Sequence, residues 1–133
     1  MNQVKWGVMG TAYIFERDTA RGMSLAENCE LTAIAGRTLE KAEAFKEKYG
    51  FQRAYGSYME LLEDPEIEAV YIALPNTLHY EWTIQALKHG KHVLCEKPLA
   101  PTGQQAREMF QTAKENNVLL MEAFAYQHSP YIK

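Results

Sequence analysis

The sequence predicts an α/β fold built on a doubly wound parallel sheet, and three observations carry that prediction. Short apolar runs alternate with segments of helical period along the chain. The pattern restarts midway at Ala69-Val70-Tyr71-Ile72-Ala73-Leu74, an apolar run suited to a strand buried on both faces. Near the start, Val4 to Met9 breaks into a glycine turn at Gly10 and then into a helix-period stretch, the sequence form of a phosphate-binding strand-turn-helix.

In chain order, the opening strand is followed by a helix from about Ala12 to Met23, with Ala12, Phe15, Thr19 and Met23 on one face. Glu30 to Ala35 reads as the second strand and stops at Gly36-Arg37-Thr38. Thr38 caps a helix whose Leu39, Ala42, Phe45 and Tyr49 share a face, and Gly50 ends it. Arg53 to Tyr55 is a short third strand. Ser57 and Glu60 then form a capping box ahead of Leu61 and Leu62, and Asp64-Pro65 closes that segment. In the second half, Pro75-Asn76-Thr77 ends the Ala69 strand, a helix runs from about Leu78 to His89 and Gly90 stops it. The strand His92 to Cys95 follows, Thr102 with Gln105 starts a helix running to Asn116, and Val118 to Met121 is the last strand. Two successive strand-helix halves of this kind are the doubly wound, or Rossmann, dinucleotide-binding arrangement.

Bulk properties narrow the partners. The chain has 133 residues, 47% of them hydrophobic and 23% charged, which suits one globular core. The net charge is -3 and no block of Lys or Arg is present to track a phosphodiester backbone, which disfavours nucleic acid. Nothing approaches the length of a membrane span and no signal-peptide apolar region opens the chain, so a cytoplasmic location is expected. Cys29 and Cys95 read as reduced thiols, and the four histidines include no pair at metal-ligand spacing, so no metal site is expected.

In a doubly wound sheet the ligand lies outside the carboxyl ends of the strands, where the strand order reverses. Gly10 to Ala12, Gly36 to Thr38, Pro75 to Thr77 and Glu96 to Pro98 all follow strands and are expected to rim one crevice. The first of these nearly matches G-x-G-x-x-G/A, with Gly10 first, Ala12 at the second glycine and Phe15 at the third small position. Its ordinary alternative is a core strand followed by an unremarkable helix. A glycine turn lets backbone N–H groups approach a pyrophosphate, and the helix N-terminus adds about 0.3 to 1 kcal/mol. At the end of the second strand an acid would hold the ribose hydroxyls of NAD and repel the 2'-phosphate of NADP. Here Arg37 offers a guanidinium and Thr38 a hydroxyl, which favours NADP; a solvated loop cation at Arg37 would leave NAD open.

Glu96-Lys97-Pro98 ends the fifth strand. The proline restricts Lys97 to extended geometry, through a trans or a cis bond, and aims its ammonium to donate to a substrate oxygen as hydride moves. Glu96 orients that lysine or contacts the ribose. The bland reading is a surface salt bridge beside a turn proline. His79, one turn into its helix, is placed to bond a neighbouring loop; His89 sits at a helix C-terminus, and His92 and His128 carry no assigned role. Trp82 reads as core and Cys95 as a packed thiol.

With these residues in view, the chain resembles the N-terminal domain of the glucose-fructose oxidoreductase, inositol dehydrogenase and MocA family of oxidoreductases. The resemblance rests on Lys5-Trp6-Gly7-Val8-Met9-Gly10-Thr11-Ala12-Tyr13-Ile14, on Leu74-Pro75-Asn76-Thr77-Leu78-His79-Tyr80-Glu81-Trp82, and on Gly90-Lys91-His92-Val93-Leu94-Cys95-Glu96-Lys97-Pro98-Leu99. Met121-Glu122-Ala123-Phe124-Ala125-Tyr126 is similar to the exit segment of the xylose and dihydrodiol dehydrogenase branch. The resemblance implies a cofactor site formed by Gly10, Thr11, Ala12, Tyr13, Ile14, Gly36, Arg37, Thr38, Leu74, Pro75, Asn76, His79, Glu96 and Lys97, with Lys97 catalytic. It also implies a sugar- or polyol-like substrate. Two departures stand out: Phe15 replaces a small residue, and the chain stops at Lys133, where a second domain carrying the substrate pocket and oligomer interface is expected. Residues 1–121 are thus expected to form the dinucleotide-binding domain and 122–133 the connection onward. The alternative is a non-catalytic NADP-sensing or partner-docking module.

Overall fold

A computed structural model describes residues 3–11 and 27–123. Among these residues the strands β1 (Val4–Met9), β2 (Cys29–Ala35), β3 (Arg53–Tyr55), β4 (Ala69–Ile72), β5 (His92–Glu96) and β6 (Leu120–Ala123) form one six-stranded sheet in the order β3-β2-β1-β4-β5-β6. Every neighbouring pair is parallel. The order reverses between β1 and β4, whose register pairs Val8 with Tyr71 and Met9 with Ile72. The helices are α1 (Leu39–Tyr49), α2 (Tyr58–Leu62), α3 (His79–Lys88) and α4 (Gly103–Glu115), with a 3-10 turn over Asn76–Leu78. The expected helix from Ala12 to Met23 lies outside the described residues.

Successive strand side chains point to opposite faces, and the core divides accordingly. Met9, Ala33, Ala35, Val70, Ile72, Val93 and Cys95 face α2, α3 and α4 through Leu61, Leu62, Ala86, Leu87, Met109 and Ala113. Val8, Ile34, Tyr71 and Ala73 face the other way, against Ala42, Phe45 and Tyr49 of α1. All four residues of β4 are buried, as a central strand covered on both sides requires. Among the described residues no helix is long and apolar enough to cross a membrane.

The helix starts follow local capping chemistry. Thr38, Ser57 and Thr102 each accept a backbone N–H three residues on, from Lys41, Glu60 and Gln105. Gly50, at φ 79°, closes α1 in the left-handed region. Several boundaries differ from expectation, two of them for a local reason. Leu78 belongs to the 3-10 turn, so α3 starts at His79. The last strand starts at Leu120 and runs to Ala123, because Asn117 adopts φ 55° and the Val118 N–H still bonds Ala113 O to close α4.

The amino ends of the strands are held by charge. The Arg53 guanidinium lies 3.0 Å from Asp64 Oδ2 and 2.8 Å from Glu66 Oε1. The Tyr55 hydroxyl donates to Asp64 at 2.7 Å, and Lys5 reaches Glu66 at 3.4 Å. Lys91, buried, donates to the carbonyls of Asp64 and Ile67, both at 2.8 Å. Burial pushes the Asp64 carboxyl up, but the Tyr55 hydroxyl, the Glu66 N–H and the Arg53 cation outweigh it and hold the group below its ordinary value. Bonds from Arg53 and Lys5 lower Glu66 as well.

At the other end of the sheet Gly10 has φ 110°, and a Cβ there would lie 2.4 Å from the Ala73 carbonyl oxygen. Gly50 has nothing within 4 Å of the equivalent position. Gly10→Ala is therefore expected to cost more than about 2 kcal/mol of unfolding free energy in urea melts, and Gly50→Ala only about 1 kcal/mol. Equal losses would refute the contact as the cause. Because Asp64 and Glu66 have depressed values in the folded state, their stabilisation is complete above the ordinary carboxylate range and is lost as pH falls through it. Urea midpoints should fall below about pH 4, and more shallowly in Asp64→Asn than in the parent chain.

Candidate functional site

Four loops leave the carboxyl ends of β1, β2, β4 and β5, and the described residues connect them in sequence across the sheet. The Gly10 N–H bonds Ala35 O at 2.8 Å, joining the first turn to the end of β2. The Thr11 methyl lies 3.1 Å from where a Gly36 Cβ would stand. On the opposite side Gly10 abuts Ala73, whose N–H donates to Met9 O at 2.9 Å. From Leu74 the connection passes through His79, whose Nε2 lies 2.7 Å from Leu74 O and whose Nδ1 lies 2.7 Å from Pro98 O. Gly10, Thr11, Gly36, Pro75, Asn76, Glu96 and Lys97 thus share one end of the sheet, as expected. Ala12, Tyr13, Ile14 and Phe15 lie outside the described residues.

The end beyond β2 is defined by charge. Arg37 and Thr38 are exposed beyond β2, and no acid stands among Ala35, Gly36, Arg37, Thr38 and Leu39. Thr38 spends its oxygen on the Lys41 N–H, which leaves its hydroxyl hydrogen able to donate. Burial raises the Tyr58 hydroxyl and the Arg37 cation partly offsets the shift. Tyr58 packs edge-to-face on Trp82 with centroids 5.3 Å apart. Trp82 is half-buried against the core, in keeping with its expected role.

The other end is defined by geometry. Lys97 and Pro98 are exposed, and the peptide between them is cis. Glu96 accepts a 2.6 Å bond from Tyr71 Oη. Leu99 buries its side chain and donates its N–H to Glu122 Oε2 at 2.6 Å. His79, expected both among the cofactor-binding residues and as placed to bond a neighbouring loop, is 1% exposed with both ring nitrogens against backbone carbonyls, and it ties two loops together. Leu74 is likewise buried, and its carbonyl is taken by His79.

The sequence model of the GFO_IDH_MocA family, an oxidoreductase family with an NAD-binding Rossmann fold, matches residues 4–124. The chain belongs to this family. It is 42% identical over 129 residues to a dTDP-3,4-didehydro-2,6-dideoxy-alpha-D-glucose 3-reductase of Actinomadura kijaniata, covering 97% of the chain and 39% of that protein. It is 41% identical over 125 residues to D-xylose 1-dehydrogenase (NADP(+)) 2 of Haloferax volcanii, covering 94% and 38%. The crystal structure of a 3-ketoreductase from A. kijaniata in complex with NADP superposes with a TM-score of 0.94 at 41% identity, over 98% of this chain and 41% of that one. The chain therefore spans about two fifths of the length of these relatives.

Within this GFO_IDH_MocA domain, sequence reasoning missed Tyr71 and Glu122. Tyr71 carries the one hydroxyl in the otherwise aliphatic strand β4, and Glu122 is an acid inside a terminal strand. Each anomaly was a usable signal, but the partner could not be read from spacing. Cys95 is confirmed as a packed thiol: burial pushes it up to about 12, with the Thr83 hydroxyl opposing and Glu96 and Glu122 adding to the rise. Burial likewise raises Cys29 to about 11. Neither cysteine should therefore be alkylated appreciably by iodoacetamide at pH 8 in the native chain, whereas both should react in denaturant. Rapid native labelling of Cys95 would contradict its assigned surroundings.

Proposed function

We propose that this chain is the NADP-binding half of a dehydrogenase or reductase acting at a carbinol or carbonyl carbon of a sugar- or polyol-like substrate. The observation that carries the reading is the convergence of Gly10, Arg37 and Lys97 on the carboxyl edge of one doubly wound sheet, flanking the point where strand order reverses. The donor set fits NADP: an exposed guanidinium and a hydroxyl follow β2, with no carboxylate to repel a 2'-phosphate. The relatives point the same way, since two of them are named or solved with NADP.

A bound nicotinamide cofactor supplies the hydride donor or acceptor. The chain's own residues bind and orient. Arg37 and Thr38 hold the adenosine phosphate, and the Gly10 turn lets the backbone approach the diphosphate. Lys97 donates to the substrate oxygen and passes its proton there as a carbonyl is reduced; in the reverse direction the resulting amine takes the hydroxyl proton back. Glu96, engaged by Tyr71 through one oxygen, keeps the other for a ribose hydroxyl or the lysine. The rest of the substrate pocket and the surface for homo-oligomer formation belong to a second domain beyond this segment. The protein works in the cytoplasm on a small molecule, without nucleic acid or membrane.

Fluorescence titration of the chain with NADPH and NADH tests the reading. NADPH should bind saturably, and Arg37→Ala should weaken it by about tenfold or more while changing NADH by less than about threefold. Equal losses for both would refute the guanidinium as the phosphate holder, and no saturable signal from either nucleotide would refute the cofactor site itself.

A further inference from the structure

The segment after β5 is fixed on both sides of Lys97 by residues distant in sequence. Before it, Glu96 is engaged by the buried Tyr71 hydroxyl. After it, Pro98 O faces His79 Nδ1 from α3, and the Leu99 N–H points at the Glu122 carboxylate from β6. The Leu99 side chain is anchored in the core, 5% exposed. Register explains how Glu122 gets there: it pairs with Cys95, so its side chain leaves β6 on the α4 side, under the loop that joins β5 to α4. An N–H to carboxylate bond of 2.6 Å is charge-assisted and short, stronger than an ordinary loop contact. The His79 ring spans two carbonyl oxygens; a neutral imidazole can donate to one of them at a time and an imidazolium to both. A four-methylene side chain such as Lys97 is aimed more closely where its own backbone is held, and these neighbours hold the backbone on either side of it.

We propose that Glu122 is a positioning residue for Lys97: its carboxylate, acting with the His79 ring, fixes the Pro98 and Leu99 backbone and so presents the ammonium at the rim of the crevice. The inference rests on the cofactor reading for its consequence, but the clamp itself needs no cofactor.

The test uses the full 133-residue chain, labelled with 15N and 13C, and follows two signals. Leu99 amide exchange reads the bond directly, and the change in the Lys97 Cε resonance on adding NADP reads the position of the ammonium. In Glu122→Ala, Leu99 exchange should accelerate by about tenfold or more, and the Lys97 response should fall to about half or less. Glu122→Gln keeps an acceptor oxygen in place and should restore both signals to within about threefold for exchange. A role in stability alone would lower the melting temperature without this pattern of loss and rescue. Unchanged Leu99 exchange in Glu122→Ala, no rescue by Glu122→Gln, or a normal Lys97 response once Leu99 is freed would each overturn the proposal. Should Glu122→Ala fail to fold, Glu122→Asp draws the carboxylate back by one methylene and carries the same two readouts. If the parent chain shows no response to NADP, the cofactor reading fails, and Leu99 exchange with the Lys97 Cε resonance of the free chain still decides the clamp.

Discussion

The contact between Gly10 and the Ala73 carbonyl is the constraint on which the carboxyl edge of the sheet depends. The two strands it joins, β1 and β4, begin the two halves of the fold, and their direct pairing is what makes the strand order reverse there. A side chain at Gly10 would collide with backbone, which cannot move aside as a flexible side chain could. With the glycine in place, the Gly10 turn stays low against Ala73, and the loops after β2 and β5 diverge to either side. The crevice is therefore a consequence of backbone proximity at one residue.

The two ends of that crevice are built by different physics. Beyond β2 the chain offers an exposed cation, Arg37, near a Tyr58–Trp82 pair, and a guanidinium can find a phosphate without being rigidly held. Beyond β5 the loop is held by Tyr71, His79 and Glu122, each contributed by a different element. Affinity tolerates a mobile charge, whereas a group that must meet a reacting oxygen tolerates little displacement. The asymmetry fits the division of labour proposed for Arg37 and Lys97.

How much of this was legible in the sequence follows the range of the interactions. Helix starts at Thr38, Ser57 and Thr102 are decided within three residues, and all three appear as read. The doubly wound order followed from the restart at Ala69 and the two successive strand-helix halves, a pattern of whole units rather than single residues. What could not be read depends on partners more than twenty residues away or on the far side of a strand. Tyr71 to Glu96 and Leu99 to Glu122 are separated by 25 and 23 positions, so although Tyr71 and Glu122 stand out in their strands, no local pattern names their partners. That His79 bonds a neighbouring loop was legible, but its depth was not, because position on a helix does not say how far a ring is buried. The delayed start of β6 came from Asn117, whose left-handed turn spends Val118 on finishing α4.

The opposite edge of the sheet shows what the carboxyl edge gives up. There Lys91 is buried and bonded to two carbonyls, and Arg53, Tyr55, Asp64 and Glu66 satisfy one another. Charged groups whose partners are all protein have no vacancy for a ligand, and their lowered carboxyl values mark them as parts of a stabilising network rather than as acids poised to exchange protons near neutrality. At the carboxyl edge Arg37, Thr38, Asn76 and Lys97 stand exposed. A stapled amino edge lets the carboxyl edge keep polar groups turned outward without loosening the sheet, so the polarity of the parallel strands becomes a division between stability at one end and recognition at the other.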